Sequence, residues 1–211
     1  MFGASRRLVL AAVLVGPLVL TGCGNSGVRY VTNSERGLFI KVPDDWERFD
    51  IDADERPESR FSRPWRVFLD AAPDPTIEHM GVPALDDPVG VVSIVPLTLN
   101  RPRDEISLSF LRALSIDSSG QQDPLTLIED GDDSVELVDY DELTNSDGYW
   151  GVELVVNARQ EDAFVTIGHL AMVDPGLRHV YILQISCASS CYENNRAEID
   201  RIFESWTIEE R

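Results

Sequence analysis

The sequence predicts an α+β fold: an antiparallel β-sheet of about six to seven strands with helices packed against it. Three observations carry this. Between residues 135 and 186 four β-rich segments follow one another across short turns, and strands joined that closely pair as antiparallel hairpins. Three earlier apolar runs, at 38–42, 65–69 and 89–95, are rich in β-branched or aromatic residues and supply further strands. Two segments, 107–114 and 192–206, instead carry apolar residues at helical spacing.

Taken in order, Leu38-Phe39-Ile40-Lys41-Val42 reads as a strand that Pro43-Asp44-Asp45 stops before Trp46, a residue expected to seal one end of the core. Residues 50–64, rich in Asp, Glu, Arg, Pro and Ser, read as an exposed loop. The strand Trp65-Arg66-Val67-Phe68-Leu69 follows and breaks at Ala71-Ala72-Pro73-Asp74-Pro75. A second loop, with Pro83, Asp86, Asp87 and Pro88, leads into Val89-Gly90-Val91-Val92-Ser93-Ile94-Val95. That continuous β-branched run predicts a central strand covered on both faces, extended past Pro96 by Leu97 to Asn100. Residues 107–114 form an amphipathic helix that Ser107 or Asp104 is suited to cap.

From Leu125 the pattern returns to β. Strands at 135–143 and 149–158 flank Thr144-Asn145-Ser146-Asp147-Gly148, a turn signal ending in Asp-Gly. Strands at 163–172 and 178–186 flank Asp174-Pro175-Gly176, whose Pro-Gly suits the inner positions of a type II turn. Residues 192–206 then place Ala197, Ile199, Ile202, Phe203 and Trp206 at mostly helical spacing, giving a C-terminal helix for the sheet.

The N-terminal residues have a different logic. Arg6 and Arg7 precede an apolar run from Leu8 to Leu20, and small residues lead to Cys23: the zones of an export signal. The run is too short to span a bilayer, which takes roughly 20 apolar residues, and Gly16-Pro17 interrupts it. Leu20-Thr21-Gly22-Cys23 resembles the lipobox of bacterial lipoproteins, and fits it better than an ordinary signal cleavage site. By that resemblance, residues 1–22 are removed, Cys23 carries a thioether-linked lipid, and its acyl chains hold the protein stably at the extracytoplasmic face of the cell membrane. Ser5-Arg6-Arg7-Leu8-Val9-Leu10 partly resembles a twin-arginine signal, an alternative to the general export route. Residues 23–29 would be a short tether and residues 30–211 one domain close to the membrane.

Charge narrows the partners. The chain carries 37 acidic and 18 basic residues, a formal net charge of −19. Loss of Arg6 and Arg7 with the signal leaves 16 basic residues against 37 acidic ones, or −21. Such a field argues against nucleic acid and against lying flat on anionic lipid. With Cys23 assigned to lipid, Cys187 and Cys191 remain. They stand outside the cytoplasm on this reading, where disulfides persist, and the spacing Cys187-Ala188-Ser189-Ser190-Cys191 brings them within reach, so a disulfide is expected. Zinc or redox chemistry would need further ligands or a C-x-x-C loop.

The order of strand, P-x-x-W, strands, helix, four-strand meander and terminal helix resembles the PsbP-like fold, shared with Ran-binding Mog-type proteins. It is carried by Gly37-Leu38-Phe39-Ile40-Lys41-Val42-Pro43-Asp44-Asp45-Trp46 and by Ile202-Phe203-Glu204-Ser205-Trp206. Within that fold the chain is similar to lipoproteins of mycobacteria and their actinobacterial relatives. The resemblance implies a sheet sandwiched by helices and used for binding or assembly, with no catalytic residues and no cofactor.

Direct signs of chemistry are sparse. There is no G-x-S-x-G, H-E-x-x-H or P-loop. Of the three histidines, His79, His169 and His179, the last two fall on adjacent predicted strands, and rings on opposite faces would exclude a joint site. A buried Ser or Asp within hydrogen-bond reach of any of them would favour a hydrolase. The acidic run Glu129-Asp130-Gly131-Asp132-Asp133 invites a calcium reading but departs from the D-x-D-x-D-G loop, and a solvated loop explains it. Trp65, Tyr149 and Trp150, near loops or strand ends, are the candidates for a ligand or partner surface, with core packing as the alternative for each. The expected function is therefore that of a non-enzymatic binding or assembly module in the cell envelope, facing an unknown envelope protein. The alternative is a carrier or receptor for an apolar or glycolipid ligand held between sheet and helix. A closed core favours the first; an apolar cavity of several hundred Å³ favours the second.

Overall fold

The computed structural model describes residues 27–51, 64–82, 85–97, 103–116, 120–160 and 163–209. Cys23, residues 52–63 of the loop expected over 50–64 and residues 98–100 of the extension expected from Leu97 to Asn100 lie outside them, while Asp50 belongs to a strand and not to the loop. The fold is α+β, with two antiparallel sheets and three α-helices among the described residues. The larger sheet has seven strands: β3 (Glu47–Asp50), β4 (Trp65–Asp70), β5 (Val89–Pro96), β9 (His179–Ala188), β8 (Ala163–Val173), β7 (Trp150–Gln160) and β6 (Val135–Thr144), in that spatial order. The smaller runs β1 (Val28–Asn33), β2 (Leu38–Pro43) and β10 (Thr207–Ile208).

The meander expected from residue 135 onward is present as β6 to β9, paired in chain order. Its hairpin at 144–149 closes through the Asn145 and Gly148 amides, on the carbonyls of Tyr149 and Asn145 respectively. The turn at 174–177 is not type II. Leu177 N–H donates to the Asp174 carbonyl, but the left-handed residue is Leu177 (φ 53°) and not Gly176. A hairpin needs one such residue after a type I turn to match strand twist. Leu177 holds that position because its side chain packs against the core while Asp174 accepts from the Arg178 amide.

The strand at 38–42 sits not in the large sheet but in the small one, where β1 flanks it on one side and β10 on the other. β1 starts at Val28, so the last two residues read as tether are already paired, Val28 with Pro43 and Arg29 with Val42. β3, a four-residue edge strand, was hidden by its charged ends.

The β reading from Leu125 fails over α2 (Pro124–Glu129). Asp123 caps this helix by accepting from the Leu125 amide, and Pro124 fills the first helical position, where its missing N–H costs nothing. Gly131 (φ 82°) ends it: its amide reaches the Ile128 carbonyl and the Asp132 amide the Leu127 carbonyl, a Schellman closure. The acidic run at 129–133 is thus the C-terminal cap of a helix. Helix α1 (Leu108–Ala113) starts as expected, with Ser107 Oγ accepting from the Phe110 amide. Helix α3 (Ser189–Glu204) begins three residues before the predicted start and releases Trp206 into the approach to β10. The Cys187–Cys191 disulfide joins the end of β9 to the first turn of α3.

Two apolar layers flank the large sheet. On one face, Val67, Val92, Leu170, Leu183 and Ile185 pack against Ile199, Ile202 and Phe203 of α3 and Val31, Leu38 and Ile40 of the small sheet. Trp46 is 2% exposed in this layer, sealing it as expected, with its indole N–H on Glu198 (3.2 Å). Gly168 makes the approach of α3 possible, since a Cβ there would run into the Tyr192 hydroxyl and come within 3.2 Å of the Phe203 ring. On the other face, Phe110, Leu111 and Ile106 cover Val152, Leu154, Val156, Ile167 and Ala171. Each such large apolar side chain stabilises by about 1.5–3 kcal/mol when fully buried.

Candidate functional site

Helices α1 and α2 cover only half of their face, the part built from β6, β7 and β8. Beside them, the same face of β4, β5 and β9 is only partly covered by the described residues: Phe68, Asp70, Ser93 and Val180 are buried on it, while Arg66, Val91, Val95, Ile182 and Gln184 are half-buried. The burial of β9 records this. Tyr181, Leu183, Ile185 and Cys187, which point to α3 and the small sheet, are buried, whereas Ile182, Gln184 and Ser186, on the opposite face, are half-buried. Val91 and Val95 of β5 are likewise half-buried although the strand is the third of seven. The expected central strand is present, its cleft-side Val89 and Ser93 buried and its Val91 and Val95 half-buried among the described residues.

Two adjoining hollows fill this gap. One, of about 450 Å³, is apolar over most of its wall, with Val91, Val95, Pro96 and Leu97 on the β5 side, Val180 and Ile182 on β9, Phe110 of α1 and Leu114 at its C-terminal cap, and with Arg66 as its one charged residue. The other, of about 600 Å³, runs under α2 and has an apolar floor of Phe68, Val89, Val165 and Ile167 with a polar rim of Gln122, Asp132, Ser134, Arg159 and Gln160. Met80, Val91 and Gln184 line both. Volumes of this size are those of small-molecule sites.

The wall formed by α1 is fixed from two sides. His169 of β8 is fully buried, and its Nε2 lies 3.1 Å from the Leu111 carbonyl. A carbonyl only accepts, so Nε2 carries the hydrogen. Burial holds this ring neutral, its pKa depressed to about 4 against the partial opposition of the Leu111 carbonyl and of Gln184, which faces it across the β8–β9 ladder. Arg112 of α1 makes the second clamp. Its Nε and Nη2 donate to the two carboxylate oxygens of Asp123 (3.0 and 2.6 Å), and its Nη1 donates to the Tyr140 hydroxyl of β6 (3.0 Å). Burial alone would raise the Asp123 pKa, but hydrogen bonds from Arg112, Ser109 and the Leu125 amide outweigh it and leave the carboxyl below the ordinary carboxylate value.

The aromatics chosen from sequence do not form one surface. Tyr149 is buried in the layer under α3, edge-on to Tyr181 with centroids 5.8 Å apart. Trp150 follows it in the chain and packs on the other layer, and Trp65 lies on β4, at the far side of the sheet, against the first layer. His169 and His179 also point to opposite faces: His169 to α1, His179 to Tyr181 (6.3 Å). That removes a joint site.

The condition set for a hydrolase is met by geometry at two places. His79 Nδ1 stands 2.7 Å from Asp70 and His179 Nδ1 stands 2.9 Å from Asp174, both carboxylates being buried. Each aspartate is also a turn cap. Asp70 accepts from the Ala72 and Thr76 amides, and Asp174 from the Arg178 amide. Among the described residues neither ring has a serine or cysteine partner of the kind a nucleophilic triad requires.

No family profile and no curated protein matches the chain. Solved structures do resemble it. The cyanobacterial PsbP (CyanoP) of Synechocystis is 13% identical, with a TM-score of 0.49 over 92% of this chain and 100% of that one. LpqN, involved in cell envelope biogenesis of Mycobacterium tuberculosis, is 17% identical, with a TM-score of 0.47 over 87% of this chain and 91% of that one. The Ran-binding protein Mog1p of Saccharomyces cerevisiae is 10% identical, with a TM-score of 0.45 over 87% and 96%. At such scores and identities, function has to come from the cleft itself.

Proposed function

We propose that the protein is an exported binding module, anchored through lipid on Cys23 at the extracytoplasmic face of the membrane, which holds an amphipathic ligand in the cleft beside α1. The observation that carries this is the incompletely covered cleft face of the central strands: Val91, Val95, Ile182 and Gln184 are only half-buried in the middle of a seven-stranded sheet. An acyl chain would lie along Val95, Leu97, Leu114 and Ile182. The polar part of the ligand, a carboxylate or the sugar of a glycolipid, would meet Gln122, Ser134 and Arg159. Gln184, at the junction, offers both a donor and an acceptor where apolar wall changes to polar rim.

Binding without catalysis is the reading supported by the two Asp–His pairs, since each aspartate also serves as a turn cap. A purely protein-facing assembly role has less to rest on, since Tyr149 is buried and Trp150 lies across the sheet from Trp65.

A fluorescent polyene fatty acid titrated into the mature chain tests this. Saturable enhancement is expected in wild type, and its loss in Val91→Trp, which places an indole where the hollows meet. Absent saturation, or equal binding by the variant, would refute the cleft as the site.

A further inference from the structure

The small sheet has an outer face that the core does not use. Val31, Leu38, Ile40 and Val42 turn inward and are buried. By strand alternation, Val28, Tyr30 and Thr32 of β1 and Phe39, Lys41 and Pro43 of β2 point outward. They pair across the ladder as Val28 with Pro43, Tyr30 with Lys41 and Thr32 with Phe39. Val28 and Tyr30 are each 56% exposed, unusual for such side chains at neighbouring positions of one strand face.

The charge on this face is as distinctive as its exposure. In a chain of 37 acidic residues, these six positions hold no carboxylate. Their one charge is Lys41, whose ammonium lies 6.0 Å from the Tyr30 ring centroid. The face also starts only five residues after Cys23, a stretch that reaches at most about 17 Å when fully extended.

We infer that this face rests on the bilayer to which Cys23 is anchored, with Val28 and Tyr30 entering the headgroup layer and Lys41 reaching lipid phosphate. The inference rests on the lipid-anchor reading. Tyrosine and lysine suit a membrane interface because each has an apolar body and a polar tip. Two exposed side chains give little affinity alone, but the anchor makes their contact intramolecular and supplies a high effective concentration. Glu198 and Glu204 beside Val28 oppose deeper entry, as the chain's overall negative charge opposes any broader contact. Because the small sheet and the cleft lie on opposite faces of the large sheet, this docking turns the cleft away from the membrane.

The test uses the lipidated mature chain in vesicles of phosphatidylethanolamine and phosphatidylglycerol, with a nitroxide on Val28→Cys or, as a control, on Leu137→Cys of β6. Collisions of the label at 28 with a water-soluble nickel chelate are expected to fall severalfold on reconstitution, and to recover with the added substitution Tyr30→Asp. Those at 137 are expected to stay unchanged. A label at 28 as accessible in vesicles as in solution overturns the docking face. So does protection that appears only in native membranes, which would assign the face to a protein. Palmitate labelling of wild type separates the two levels: a labelled chain with an accessible position 28 fails on the docking face alone, while an unlabelled chain fails on the anchor.

Discussion

Replacing His169 with glutamine should change how stability depends on pH. In the unfolded chain a histidine protonates near pH 6.5, whereas the buried His169 ring protonates only at about pH 4. Between those values the unfolded chain binds a proton that the folded chain refuses, so stability rises with pH across the window. The contribution is complete above pH 6.5 and diminishes as pH falls. At roughly 1.4 kcal/mol per pH unit, the penalty reaches about 3 kcal/mol near pH 4. Other groups titrate there too, so the comparison must be with a variant. Glutamine retains an N–H for the Leu111 carbonyl but cannot titrate. Urea unfolding followed by tryptophan fluorescence at pH 7.5, 6.5, 5.5 and 4.5 should show wild type losing about 2.5 kcal/mol more than His169→Gln over that span. Parallel loss in the two proteins would refute the claim that a neutral, buried imidazole holds α1 to the sheet.

Other substitutions probe other joints. Arg112→Met leaves the Asp123 carboxylate buried without its partner and should destabilise by about 3 kcal/mol, measured by the same unfolding assay. Asp123→Asn keeps an N-cap, and because the native carboxyl titrates below 3.8, wild type alone should lose this contribution as pH falls through that lower value, making its acid unfolding steeper than the variant's. Gly168→Ala forces a methyl against Tyr192 and Phe203 and should lower stability by about 1–3 kcal/mol. Serine at both Cys187 and Cys191 opens a loop of sequence separation 4, so the loss should be modest, about 2 kcal/mol by chain entropy, without loss of the fold by circular dichroism.

What could be read from sequence was whatever is local. The meander from 135 onward, the Ser107 cap and the Cys187–Cys191 bridge all follow from patterns a few residues long. The misses have physical causes. In helix α2 the alternation Leu125-Thr126-Leu127 mimics a strand, although Asp123-Pro124 and Gly131 mark the two ends of the helix. The small sheet depends on Thr207 meeting Phe39 from the opposite end of the chain, a pairing that no local pattern encodes. Tyr149 and Trp150 look in sequence like one surface, but neighbouring residues along a strand face opposite ways. The cleft was the least legible feature, because it arises where α1 and α2 stop short of β5 and β9. Val91, Ile182 and Gln184 look in sequence like the residues of any central strand.

The most direct test of the central claim is mass spectrometry of an organic extract of the mature chain, purified without detergent from the organism that makes it, alongside Val91→Trp prepared identically. The cleft predicts a stoichiometric amphipathic lipid in wild type that is depleted in the variant. Empty wild-type protein, or equal lipid in both, would contradict it.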